Sequence, residues 1–219
     1  MLQHIELLES RKNLYRFLGR LYRREVDEAF LAKMKALTFP EDCDVPEIAE
    51  GYRLIGNYLR TPQEDAVTDL AVDYAHSLLG AGIAEGIVAY PIESVYTSPD
   101  HLIMQEAYEK VHVLFQKECS LHSDSDIPED HLGLELEFMA IAIDRTIEGL
   151  KADDAAKVEH NQNLQKTFLK EHLCNWVPAC MKDLSACALT DFYRGLAKLT
   201  CGFIKMEEEL LLTSEEEVA

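Results

Sequence analysis

Basic residues are scarce in this chain: 21 lysines and arginines stand against 40 aspartates and glutamates, for a formal net charge of −19. Such a surface repels nucleic acid and anionic membranes and favours basic partners, which argues against any nucleic-acid role. Long apolar runs are missing as well. No stretch approaches the roughly 20 residues that span a bilayer, and Met1-Leu2-Gln3-His4-Ile5-Glu6 lacks the basic and apolar blocks of a signal peptide, so the expected location is cytoplasmic, without membrane insertion. The six cysteines form no C-x-x-C pair and no zinc spacing, which leaves reduced, buried thiols. There is no G-x-S-x-G, P-loop, H-E-x-x-H or G-x-G-x-x-G either. Common catalytic chemistry is therefore not expected, nor is a cofactor.

What the chain does contain is helical spacing. Ile5, Leu8, Tyr15, Leu18, Leu21 and Tyr22 form an apolar stripe beside Arg11, Lys12, Arg16, Arg20, Arg23 and Arg24. With no phosphate loop present, this basic cluster is expected to answer the protein's own acidic edges. Further helices are predicted after Asp27, around Ile48 to Leu59, from Thr61-Pro62-Gln63-Glu64 to Leu79, and from Ser98-Pro99 to Cys119. The dominant one enters at Pro128. On it Leu132, Leu136, Met139, Ile143, Ile147 and Leu150 fall on one face and Leu134, Phe138 and Ile141 nearly opposite, so it is buried on two sides. Asp130, Glu137, Asp144 and Glu148 share one edge between those stripes, which must meet water or a cation. Alternating strand patterns and internal repeats are absent. The expected fold is all-α: a single bundle-like domain of about ten helices, divisible at the polar hinge 119–127 into 1–118 and 128–219.

Two places invite function. Tyr90-Pro91-Ile92-Glu93-Ser94-Val95-Tyr96 follows the glycine-rich stretch Gly80 to Gly86, has no helical pattern and reads as an ordered loop, where binding residues concentrate. Asp130-His131 at the entry of the central helix can either cap it or present a carboxylate to an arginine. An enzymatic alternative is a carboxylate-bridged metal bundle, which needs Glu-x-x-His on two helices. Glu109-Lys110-Val111-His112 fits that pattern, and Asp73-Tyr74-Ala75-His76 fits it with Asp in place of Glu.

Pro128-Glu129-Asp130-His131-Leu132 followed by Glu135-Leu136-Glu137-Phe138-Met139 resembles the E-P-x-D-H-L…E-L-x-F-M signature of the TorD/DmsD family of redox-enzyme maturation chaperones. Glu93-Ser94-Val95-Tyr96, Asp73-Tyr74-Ala75…Leu79-Gly80 and Phe168…His172-Leu173…Trp176-Val177-Pro178 match in the family's order, and Ile127 departs from the signature's leading Glu. The resemblance implies a non-enzymatic cytoplasmic chaperone. It would bind the twin-arginine signal peptide and the apo catalytic subunit of a molybdopterin oxidoreductase until its cofactor is inserted, as a monomer or as a dimer swapped through 119–127. A leader that is basic and then apolar needs acidic residues beside an apolar groove. The expected peptide site is Asp130 and His131 with Glu93 and Glu137 for the arginines, and Tyr90, Val95, Tyr96 and Trp176 for the apolar part. The competing expectation is an assembly factor that recognises a folded cytoplasmic redox-enzyme subunit without reading a leader.

Overall fold

The first helix, α1 (Leu2–Arg23), carries its basic cluster against the acidic edge of α7 (Leu132–Ala152). Lys12 Nζ lies 2.8 Å from Asp144 Oδ1, Arg16 lies 3.3 Å from Asp144 Oδ2 and 3.9 Å from Glu137 Oε1. The basic residues of α1 thus neutralise the protein's own carboxylates, as their position in the sequence predicts. The two helices approach closely at their glycines: a Cβ on Gly19 would stand 3.0 Å from the Gly133 carbonyl oxygen. Both predicted apolar faces of α7 are buried, with Leu132, Leu136, Met139 and Ile143 on one side and Leu134 and Phe138 on the other. Phe138 meets Phe115 of α6 (Glu106–Glu118) and Phe168 of α8 (Ala155–Phe168) at centroid separations of 5.0 and 4.5 Å.

The computed structural model describes residues 2–40, 43–118 and 127–212. Among these there are ten α-helices, a 3₁₀ turn at Ile83–Glu85 and a π-helical segment at Leu169–Leu173; no strand occurs beyond an isolated bridge, and no helix is long and apolar enough to cross a membrane. The chain forms two compact units. The first holds residues 1–23, 92–176 and 207–219, and so contains α1, the one-turn helix α5 (Glu93–Thr97), α6, α7 and α8. The second holds residues 24–91 and 177–206: α2 (Glu28–Lys35), α3 (Pro46–Arg60), α4 (Ala66–Leu78), α9 (Val177–Cys187) and most of α10 (Asp191–Leu212), whose last turns belong to the first unit. Most of the predicted hinge 119–127 lies outside the described residues; its flanks, α6 and α7, fall in the same unit.

Several helix starts differ from the sequence expectation, each for a local reason. Thr61 does not open α4, because its hydroxyl donates to the Asn57 carbonyl at the end of α3; Asp65 caps α4 instead, accepting from Thr68 N–H at 3.1 Å. Ser98-Pro99 does not open α6. The Ser98 hydroxyl accepts from Leu102 N–H in a turn, and His101 and Met104 adopt left-handed φ of 53° and 56°, so α6 begins only at Glu106. The stretch 90–96, expected to be a loop throughout, contains the start of α5. The central helix begins at Leu132 rather than at Pro128, with His131 as its cap.

Within the second unit α3 and α10 are nearly in backbone contact. A Cβ on Gly51 would stand 2.6 Å from Leu199 N and 2.8 Å from its Cα. Neither atom can yield without moving a helix, so Gly51→Ala is expected to cost about 1–3 kcal/mol. Denaturant unfolding checks it, and an unchanged midpoint would show that the crossing is looser than this.

Candidate functional site

Asp130 organises the site by capping a helix that is not its own. Its carbonyl accepts from Glu93 N–H and its Oδ2 from Ser94 N–H, both at 2.9 Å, and the Ser94 hydroxyl also donates to Oδ2. The exposed amides at the start of α5 are satisfied in this way from 36 positions along the chain. Ile92 and His131 pair as an isolated antiparallel bridge beside it. With Asp130 turned to α5, the cap of α7 falls to His131, whose Nδ1 accepts from Gly133 N–H at 3.0 Å. Burial lowers the His131 pKa to about 4, with the charge of Arg23 acting in the same direction, so its imidazole is neutral. Burial raises Asp130 against the opposing pull of the Ser94 donors.

This cap aims Glu93 at α8's continuation. The π-helical segment closes with Cys174 N–H donating to the Leu169 carbonyl at 2.9 Å, a five-residue step that turns His172 toward Glu93. His172 Nδ1 lies 2.9 Å from Glu93 Oε2, and Asn175 Nδ2 donates to Oε1 at 3.1 Å. Behind Glu93 stands Glu135, fully buried, with neither oxygen in a well-formed hydrogen bond and with the Glu93 carboxyl and the Trp176 indole as its neighbours. Burial drives its pKa well above the ordinary range, and the neighbouring Glu93 and Asp130 push the same way.

Glu93 forms part of the floor of a cleft of about 740 Å³, with Gln105, Glu106 and Lys110 on one wall and Lys170, Glu171, His172 and Asn175 on the other. Lys110, Glu171 and His172 also line a second groove of about 490 Å³, which is apolar along Val113, Leu114, Leu164 and Phe168. Both belong to the first unit. A carboxylate-bearing cleft therefore runs into an apolar trough.

The expected site residues are placed unevenly around it. Glu93, Asp130 and His131 come together as described. Val95 and Tyr96 follow Glu93 on α5, half-buried, and Tyr96 packs on Trp176 at 5.6 Å between centroids. Trp176 is 1% exposed and spends its N–H on the His172 carbonyl. Glu137 sits on the α1 edge near Arg16, and Tyr90 belongs to the second unit, where it packs against Gly80. Ser94, Glu135, His172 and Asn175 were not among the residues expected to bind, although the first three lie inside the quoted motifs. Of the metal-bundle candidates, His112 pairs with Glu129 and Asp73 is taken up by Ser77, Leu189 N–H and Thr190.

Comparison with known proteins accounts for these motifs. The family model described as "Nitrate reductase delta subunit" matches residues 41–182, a span that includes α5, Asp130, Glu135, His172 and Asn175. The "Chaperone protein TorD" of Photobacterium profundum is 26% identical over 226 residues, covering 98% of this chain and 100% of the relative. That of Vibrio cholerae El Tor Inaba is 24% identical over 223 residues, covering 96% of each chain, and that of a Psychrobacter species is 25% identical over 213 residues, covering 92% and 91%. With the family model matching more than half of its length, the chain belongs to the nitrate reductase delta subunit family, among the TorD/DmsD redox-enzyme maturation chaperones, and is a chaperone rather than an enzyme.

Proposed function

We propose that this chaperone serves a molybdopterin oxidoreductase in the cytoplasm, binding the twin-arginine signal peptide and apo form of its catalytic subunit, assisting cofactor insertion and delaying export. One observation carries the proposal: the cleft floored by Glu93 continues into the apolar groove of Val113, Leu114 and Leu164. A leader presents those two chemistries in that order. Glu93 receives a guanidinium, Glu171 draws it to the rim, and the groove takes the apolar segment. Asp130 and His131 act through α5 and α7, holding Glu93 in place. At 2% exposure Glu93 offers a pair shielded from solvent, where geometry counts most.

Calorimetric titration with the twin-arginine leader of a molybdoenzyme from the same genome tests this, beside the same peptide with both arginines changed to lysine. The lysine pair is expected to bind about tenfold more weakly or worse, because an ammonium lacks the paired donors. Rising salt is expected to weaken the native leader steeply. The family description favours a second reading, an assembly factor for a folded subunit. Failure of several leaders to bind, together with a salt-insensitive complex with the folded subunit, supports that one instead.

A further inference from the structure

Three carboxyl groups are buried around the cleft floor, and they are unequally answered. Glu93 has His172 and Asn175, and Asp130 has Ser94. Glu135 is fully enclosed, and among the described residues neither of its oxygens makes a well-formed hydrogen bond; what lies within reach is the Glu93 carboxyl and the Trp176 indole. It faces Glu93 from α5, Asp130 from the turn before α7, and the Trp176 indole, whose N–H is already given to the His172 carbonyl at 2.6 Å. Glu93 is in turn faced by His172 and Asn175, and feels Lys110 from α6, which is paired with Glu106 at 2.7 Å. A solitary carboxyl beside two others in a dry site is held as the neutral acid.

We propose that Glu135 is the proton carrier of the binding site, holding a proton in the free protein and releasing it to solvent when an arginine of the leader pairs with Glu93. Burial is the main reason Glu135 is neutral and the Glu93 charge adds to it; the guanidinium cancels that added charge and attracts the Glu135 anion. The balance is one cation bound, one O–H bond broken at Glu135 and one proton passed to the buffer. Leader capture at the cleft, as proposed above, is the premise. Because a proton leaves on binding, affinity rises with pH, by up to about tenfold per pH unit where a full proton is released.

The test is calorimetry of the full chain with the twin-arginine leader in phosphate and in Tris at the same pH, whose different ionisation enthalpies reveal proton transfer. About one proton is expected to be released per leader bound by the native protein, and none per leader bound by Glu135→Gln. Leader binding with the same enthalpy in both buffers overturns the linkage and leaves leader capture standing. Undiminished release from Glu135→Gln places the proton elsewhere and also overturns it. Absence of leader binding overturns both. Should the variant not fold, the native protein decides alone: affinity that stays flat between about pH 6 and about pH 8 rejects the proposal.

Discussion

Glu207→Ala is expected to destabilise the protein by about 3–5 kcal/mol, the largest loss from any single truncation considered. Glu207, in the last turns of α10, is fully buried and accepts from Arg11 Nε at 2.7 Å, from Arg11 Nη2 at 2.6 Å and from the Tyr15 hydroxyl at 2.9 Å. Arg11 is itself buried, with Gln165 Oε1 at 3.2 Å as its other partner. Removing the carboxylate strands a guanidinium away from water with one neutral acceptor. The large effect is therefore a cost of leaving a charge unpaired and does not measure the net worth of the pair. Replacing both ends, as Arg11→Met with Glu207→Leu, removes that charge too and should recover most of the loss. Denaturant unfolding of the two single variants and the double variant is the measurement. A loss below about 1 kcal/mol for Glu207→Ala would mean that water reaches Arg11 and that α10 is not pinned to α1 by this network.

Much of this arrangement was legible in the sequence because helices write their burial into local spacing. The two apolar faces of α7, the Asp27 cap of α2, which accepts from Phe30 N–H at 2.8 Å, and the basic face of α1 all follow from residues within a few turns of each other. The motifs around Glu93, Asp130 and His172 were visible too, and the fold brings them to one place. What spacing does not encode is the partner. Asp130 reads as the entry of its own helix, yet it serves α5; His172 reaches Glu93 across 79 positions, and only through a π-helical step. Of the carboxylates expected at the site, Asp130 and Glu93 come together, while Glu137 lies on the edge that faces Arg16. Glu135 was passed over because a charged residue is placed at the surface by default. Trp176 shows the opposite ambiguity: an aromatic side chain suits a groove or a core equally, and here the indole is buried with its N–H given to the His172 carbonyl.

His131 makes acid the condition under which this site should fail. A histidine whose folded pKa lies at about 4, below its unfolded value of 6.5, contributes its full stability above the unfolded value and loses it as pH falls through the folded one. From pH 6.5 down to about 4 the unfolded chain binds a proton that the native one refuses, and that alone removes about 3 kcal/mol. Glu135 and Asp130 have the opposite sign. Their folded values are raised, so they hold their stability at low pH and give it up as pH rises. The His131 contribution is isolated by comparison with His131→Asn, since asparagine can still cap α7 but does not titrate. The unfolding free energy of the native protein should fall by about 3 kcal/mol more than that of the variant across this interval, and parallel curves would remove His131 as the cause. The chemistry also says where the damage begins. Nδ1 accepts from Gly133 N–H, and a protonated Nδ1 is a donor facing a donor, so the start of α7 must open. Asp130 is the next residue back, and on it hang the first amides of α5 and the position of Glu93. Protonating one buried imidazole thus loosens the cap of α7 and the carboxylate proposed to read the leader in a single step.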